Sequence, residues 1–507
     1  MYENNFLANH LRSASVGREA QPFAETIEGS VVSYADFFKG AEQFASVLLS
    51  KGVKPNDRVA VQVDKSIEVL QLYVGTVLAG GVFLPLNTAY TTSEIAYFLG
   101  DATPTVFVCR GESREALAAV AKEAGVSALE TLNADGSGSL SDAVKQQTGS
   151  FTAVERGEDD LAAILYTSGT TGRSKGAMLS HKNLWSNADT LKEYWHFKND
   201  DVLIHALPIF HTHGLFVAIN VTLAAGSSLI FMTGFDTNVI MNAMAKATVL
   251  MGVPTFYVRL LGHPGLSADS VKNMRLFVSG SAPLLSETHV QWSEKTGTAI
   301  LERYGMTETN MNTSNPYEGD RRPGTVGYPL PGVEVRITDE KTEALLPAGE
   351  IGSIEVRGPN VFQGYWKMPE KTREELRENG FFLTGDLGMI DAQGYVSIIG
   401  RSKDLIITGG YNVYPKEIEI LIDDIEGVEE SAVIGLPHPD FGEAVTAVIV
   451  RQPNSTISEA EIKQLLNTDL AKYKQPKQLF FVDELPRNAM GKVQKKALRE
   501  TYEQRAS

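Results

Sequence analysis

The segment from Leu161 to Leu179, LAAILYTSGTTGRSKGAML, limits what this chain can fold into more than any other stretch. Its apolar run, Leu161 to Tyr166, has the length and bounds of a buried strand, and it empties into Thr, Ser and Gly closed by Lys175 and Gly176. Such a loop is built to cradle phosphate. Gly169 and Gly172 permit positive φ and let backbone N–H groups converge on an anion, the hydroxyls of Thr167, Ser168, Thr170 and Thr171 add donors, and Lys175 adds a cation. Most Gly/Ser/Thr clusters are plain surface loops, and that is the alternative. A Walker A loop fails, because Lys175 is followed by Gly176 and no Ser or Thr stands there for magnesium.

A strand feeding a loop of this kind implies an α/β protein, and the flanking pattern agrees. Ser33 and Asp36 form a capping-box-like start for a helix with Phe37, Ala41, Phe44, Ala45 and Leu48 on one face, stopped by Gly52. Strands at Val59 to Val63, Val82 to Leu86 and Thr105 to Cys109 alternate with helices at Ile67 to Leu78 and Glu94 to Leu99. Further strands follow at Val202 to Leu207, Leu229 to Met232, Val249 to Val253 and Leu276 to Val278. Between Gly324 and Gly358 short strands and close-set Gly and Pro suggest a small β-rich subdomain, and Gly400 to Asp404 separates the body from a last α+β unit. With 507 residues the chain exceeds one core. The expected layout is an N-terminal domain of parallel sheets over 1–400, a connection at 401–403 and a small C-terminal domain over 404–507. A charge of −16 argues against nucleic acid as a partner. The apolar region Gly214 to Met232 is broken by Asn220 and Gly226, so a buried helix and strand are expected and no membrane span. The lone Cys109 excludes disulfides within the chain. The opening MYENNFLANHLRSASV shows no signal-peptide pattern, which points to a cytoplasmic protein.

The string YTSGTTGRSKG resembles the signature of the adenylate-forming superfamily of acyl-CoA synthetases, luciferases and peptide-synthetase adenylation domains. Its other motifs follow in order: Tyr304-Gly305-Met306-Thr307-Glu308, Gly385-Asp386 in a strand followed by a turn, Arg401-Ser402-Lys403-Asp404, and Pro486 to Val493 around Lys492. The resemblance implies ATP, Mg²⁺ and coenzyme A as cofactors or co-substrates. It implies that residues 167–172, Lys175, Ser281, Ala282, Gly305 and Met306 line the nucleotide, that Tyr304 stacks on adenine, and that Thr307 meets the α-phosphate. It further implies that Glu308 and Thr167 hold the metal, that Asp386 takes the ribose hydroxyls, that Arg401 adds a ribose or phosphate contact, and that Gly410 faces the pantetheine arm. Lys492 is the catalytic cation, which bridges a carboxylate and a phosphate that otherwise repel. Lys403 matches the position about which the C-terminal domain turns between half-reactions. On local sequence alone a solvated Glu308 and a solubilising Lys492 are the ordinary readings, and a turn-forming Asp386 stands equally open. Acetylation of Lys492 by a lysine acetyltransferase would remove its charge.

Phe210-His211-Thr212-His213-Gly214 matches the motif whose first histidine, His211, lines the acyl pocket. Arg259 follows Phe256 by one turn on a helix that Pro254 suits as a starter. A guanidinium in an acyl tunnel needs an anion, and a second substrate carboxylate supplies one; an arginine reaching solvent is the alternative. The stretches ALPIFHTHGLF, VLMGVPTFYVRLL, FVSGSAPLL and LERYGMTETNMNTSNPY resemble bacterial malonyl-CoA synthetases, in which Arg259 and Ser281 would hold the distal carboxylate in a short pocket closed by Arg259, His211 and Met306. The expected reaction is ATP-dependent ligation of malonate or methylmalonate to CoA. A short-chain or aryl monocarboxylate ligase, or a non-catalytic nucleotide-binding or carrier-loading protein, are the alternatives.

Overall fold

The computed structural model describes residues 2–167, 174–408, 411–438, 442–488 and 491–506, the side chains at 468–469 and 504–506 excepted. Among these residues the strands form four sheets. Helix Tyr34–Ser50 starts where the Ser33 hydroxyl accepts from the Asp36 N–H, and the chain leaves it through Gly52 at φ 89°. Its inward residues Phe37, Ala41, Phe44 and Leu48 meet helix Ile67–Leu78, whose length matches the apolar run that predicts it. Helix Thr92–Ala102 is longer than expected, because Thr91 and Glu94 build a reciprocal capping box ahead of it.

One sheet carries, in order, Ala128–Thr131, Val106–Cys109, Arg58–Gln62, Val82–Pro85, Leu161–Thr167 and Lys175–Ser180, parallel except for the last pair. A larger sheet runs from Tyr328–Pro329 through Asn310–Ser314, Leu301–Met306, Leu276–Ser279, Val249–Gly252, Val202–His205, Ser228–Phe231 and Pro22–Thr26 to Val31–Ser33. Its middle is parallel and its outer pairs antiparallel. Strands buried on both faces read as continuous Val/Ile/Leu runs, as Val249–Gly252 and Leu276–Ser279 do. The two sheets share one core, to which Val61 and Phe83 contribute from one side and Leu203, Phe231 and Leu250 from the other. The apolar region after His213 is a π-helical turn, His213–Ile219, continued by helix Asn220–Ala225 and a strand. Among the described residues no helix is long and apolar enough to cross a membrane.

The β-rich part extends further than its composition suggests. Antiparallel strands Glu334–Thr338, Gly352–Arg357, Phe382–Ile390 and Val396–Arg401 form one sheet, so the segment from Gly385 to Asp386 lies within a strand and not in a turn after one. Between Leu383 and Leu387 the strand runs two residues long against Ser353 and Glu355, a bulge in which Gly385 takes φ 70° without ending the strand. The last unit follows a 3₁₀ turn, Ser402–Asp404. Its sheet, built mainly on Val428–His438 and Gly442–Arg451, is covered on one face by helices Pro415–Asp423 and Glu459–Asp469 and on the other by Lys495–Ala506. The architecture is therefore α/β: a large N-terminal body of parallel sheets and helices, a β-rich subdomain and a small α+β C-terminal unit.

Candidate active site

Strand Leu301–Met306 ends at the mouth of the body and carries most of one motif. Gly305 is obligatory there, since a Cβ would stand 1.9 Å from the Asn310 carbonyl oxygen across the hairpin. Tyr304 and Met306 are half-buried, as is Thr307 in the turn, and Glu308 is buried at 5% exposure. The Tyr304 hydroxyl donates to Asp386, and Arg401 Nε lies 2.6 Å from the other oxygen of that carboxylate. Asp386 and Arg401 face each other across paired strands, so sheet register alone brings them together. Three residues expected at the nucleoside thus meet.

On the phosphate side, Thr167 and Lys175 are register partners at the two ends of the loop, and the Thr167 hydroxyl donates to the Lys175 carbonyl at 3.4 Å. Ser168, Gly169, Thr170, Thr171 and Gly172, expected around the phosphates, and Gly410, expected at the CoA side, lie outside the described residues. Lys175 Nζ sits 3.1 and 3.2 Å from the two Glu375 oxygens and 4.1 Å from the centre of the Tyr365 ring. The Tyr365 hydroxyl reaches Glu308 at 3.0 Å and Glu375 at 2.6 Å. Burial raises the Glu308 carboxyl above the usual range, with Tyr365 and Lys175 opposing. No group of three or more His, Cys, Asp or Glu among the described residues forms a ready metal cage. Glu308 and the Thr167 hydroxyl suit a Mg²⁺ that takes most of its ligands from phosphate and water.

The acyl side is strongly basic. His213 Nδ1 is 3.2 Å from the Ser281 hydroxyl, and Ser281 holds φ 73° just past strand Leu276–Ser279. A non-glycine residue in that region is strained, a feature that clusters at ligand sites. Beside it, Gly280 leaves room for the Arg303 guanidinium, whose Cζ would stand 2.4 Å from any Cβ there. Arg303 is 3% exposed, and its Nε and Nη2 have no hydrogen-bond partner among the described residues. Burial pushes it down to about 9, with Tyr257 and Glu302 opposing. Burial, then the charge of Lys492, holds the half-buried His211 at about 4, so it is neutral near pH 7. His213 is pushed down by burial and by Arg303. Ala282 is half-buried next to Ser281.

Arg259 is not the buried guanidinium expected. Helix Pro254–Leu261 turns Phe256, Tyr257 and Leu260 inward, which leaves Val258 and Arg259 exposed, the latter with its guanidinium 5.5 Å from the Phe235 ring centre. It stands one turn beyond Thr255, the residue against which Gly491 rests, since a Cβ on Gly491 would meet Thr255 at 3.6 Å. Arg259 therefore belongs to the rim.

Lys492 enters that cleft on a tight turn, in which its N–H donates to the Asn488 side chain at 3.0 Å and Asn488 N donates to its carbonyl at 3.0 Å. It is ringed by protein while its own surface opens to the cleft. Desolvation there, then Arg401, lowers it below an ordinary lysine, and Asp386 and Glu308 oppose. Lys403 is exposed on the Ser402–Asp404 turn. Residues from positions 211 to 492 thus converge on one cleft. Sequence reasoning missed Arg303, Tyr365 and Glu375. Arg303 directly precedes the Tyr304 motif and, with Glu302, makes a charged pair directly after the apolar Ile300-Leu301, and that was the available signal; nothing local marks Tyr365 or Glu375.

The family model described as AMP-binding enzyme matches residues 13–366, and that of the AMP-binding enzyme C-terminal domain matches residues 417–492. The chain is similar to the crystal structure of ATP-bound MatB from Rhodopseudomonas palustris, at 59% identity over 99% of this chain and 100% of that one, with a TM-score of 0.98. Against apo MatB of the same organism, at the same identity and coverage, the TM-score is 0.86. A malonate–CoA ligase of Arabidopsis thaliana is 36% identical, over 88% of this chain and 78% of the relative.

Proposed function

The chain belongs to the AMP-binding enzyme family, and from that premise we propose that it ligates malonate to coenzyme A through malonyl-adenylate, with ATP giving AMP and pyrophosphate. The observation that carries the choice of acid is Arg303. A buried guanidinium with open donors is costly by itself and becomes favourable when an anion meets it. A second carboxylate two bonds from the reacting one does so, and Ser281 beside it offers a hydroxyl. Monocarboxylates leave the cation unpaired, which is a reason for selectivity as well as affinity. Arg259, exposed on helix Pro254–Leu261, would add only a weaker, solvent-screened attraction. Methylmalonate adds one methyl, worth only about 1 kcal/mol of discrimination, so both diacids fit this reading.

In the first half-reaction the malonate carboxylate attacks the α-phosphorus, and pyrophosphate leaves. Lys492 offsets the repulsion between the two anions and the charge that builds on phosphorus, Thr307 donates to the same phosphate, and Tyr304, Asp386 and Arg401 hold the nucleoside. Glu308 and Thr167 would hold Mg²⁺, which would supply charge neutralisation at the phosphates, and Lys175 with residues 168–172 would line the polyphosphate. In the second, the CoA sulfur attacks the acyl carbon and AMP leaves, with neutral His211 beside the thiol's path. The protein divides at 401–403, about Lys403, into parts 1–400 and 404–507. Rotation there exchanges Lys492 for the segment with Gly410. The better fit to the ATP-bound relative than to its apo form supports reading the present arrangement as the adenylating one. A buried, single Cys109 suits a cytoplasmic enzyme whose sulfur nucleophile comes from its substrate. A lysine acetyltransferase acting on Lys492 would silence the first step.

Pyrophosphate and AMP release, measured with malonate, methylmalonate, succinate, acetate, butyrate and benzoate, tests the proposal. Malonate or methylmalonate is expected to be used best. Equal use of acetate or butyrate rejects the diacid reading and leaves a monocarboxylate ligase; no AMP release with any acid rejects the enzyme reading.

A further inference from the structure

Glu375 ends the short helix Pro369–Glu375, a poor place for a carboxylate because helix carbonyls already concentrate negative charge there. Its surroundings explain it. Lys175 lies against both of its oxygens, Lys371 is 3.0 Å away, and the Tyr365 hydroxyl donates to it. That hydroxyl also stands 3.0 Å from Glu308, so one phenol links the acid expected to hold metal to the acid that holds the phosphate-loop lysine. One hydroxyl has only one proton, so it donates to one of the two acids at a time and lies within reach of both.

The backbone makes Tyr365 a fixed post. The Gly364 carbonyl accepts from Met178 N, and Trp366 N donates to the Gly176 carbonyl, which locks the segment to the strand that carries Lys175. Three residues earlier Phe362 N donates to the Glu308 carbonyl at 2.8 Å. The Tyr365 N–H is held by Thr372 in the helix that ends in Glu375. Tyr365 is itself 2% exposed.

We propose that Glu375 and Tyr365 are positioning residues for MgATP: the ion pair presents Lys175, and the phenol sets Glu308 at a fixed reach from it, so that polyphosphate and its metal meet a preset cation and a preset acid. The proposal rests on the reading of this cleft as an ATP site. All four side chains belong to the body and not to the C-terminal unit, so the relay serves the first half-reaction and is idle in the second.

The test uses the full-length protein, Glu375→Gln and Tyr365→Phe. Phenylalanine keeps the ring beneath Lys175 and removes only the hydroxyl. Titration of MgATP into each, without any acid, is expected to show about tenfold weaker binding, the scale of one lost charge-assisted hydrogen bond, and a higher Mg²⁺ requirement. Combining the two substitutions is expected to add less than about twofold to Glu375→Gln, as residues of one network do. Thioester formation from preformed malonyl-adenylate and CoA is expected to stay within about twofold of the parent. Unchanged MgATP binding in both variants overturns the proposal. Tighter binding overturns it too, since Glu375 would then compete with phosphate for Lys175. Equal loss in both half-reactions shows a structural role and also overturns it. Because the titration needs no acid, failure of the parent to use malonate sinks the substrate reading alone.

Discussion

Replacing Arg303 by methionine removes the guanidinium and keeps most of its volume, so the variant separates charge from packing. Two of its donors have no partner among the described residues, and burial already weighs on its charged form. Without a ligand anion, exchange of a buried ion for an apolar residue is neutral or stabilising, by up to about 4 kcal/mol. With malonate bound the sign reverses. Breaking a buried pair by removing one partner costs about 3–5 kcal/mol, which is ~200- to ~5,000-fold in kcat/KM at about 1.36 kcal/mol per decade. The assay is pyrophosphate release with malonate and with propionate, which replaces the distal carboxylate by a methyl, alongside thermal unfolding without ligand. Malonate kcat/KM is expected to fall at least about a hundredfold, propionate to hold or rise, and the melting temperature not to drop. A malonate loss under about tenfold, or an equal loss for both acids, refutes the assignment of Arg303 to the distal carboxylate.

Three other outcomes follow from the same geometry. Arg259→Ala, at an exposed site, is expected to cost malonate about fivefold, the scale of a solvent-screened charge; a loss as deep as that of Arg303→Met would return the leading role to Arg259. Lys492→Ala is expected to abolish adenylation while sparing thioester formation from malonyl-adenylate, and the parent's adenylation should fade with rising pH earlier than an ordinary lysine allows, because its pKa is lowered. Loss of both half-reactions, or an alkaline limb unchanged in Lys492→Arg, contradicts this. His181 is buried, accepts from Leu7 N at 3.1 Å and is held at about 3, mainly by burial. Its folded pKa lies below the unfolded value near 6.5, so the unfolded chain binds the extra proton first and stability falls as pH drops below about 6.5. At pH 5 this amounts to about 2 kcal/mol, and a melting curve flat between pH 7 and 5, or one equally sloped in His181→Asn, excludes it.

Periodicity and capping located the body because each signal there is local. Ser33 before an amphipathic run, or an apolar run four to six residues long, needs no distant partner to be read. Helix Ile67–Leu78 and strand Val249–Gly252 fall where their residues place them. Asp386 misled because Gly385 looks like a turn, and only pairing with Gly352–Arg357 shows that the strand continues through a bulge. The phase of Pro254–Leu261 was legible, but which arc faces inward depends on neighbours, and Arg259 fell on the outer one. Arg303 was hidden for the converse reason: in a strand, one-residue spacing decides the face, and only Gly280 across the sheet makes room for it. Glu375 owes its place to Lys175, two hundred positions earlier, a relation that no window along the chain contains.

Strand Leu301–Met306 has a consequence for anyone who would retune this protein. On six residues it carries Arg303, proposed to meet the acid, and Tyr304, proposed to meet the nucleoside, with Glu308, the proposed metal acid, two positions past its end. A shift of that backbone to suit a bulkier acid drags the sugar contacts and the metal acid with it. New acid preferences are therefore best sought on surfaces that can yield independently, the Pro254–Leu261 helix and the loop at Gly280, where shape can change while ATP chemistry keeps its footing.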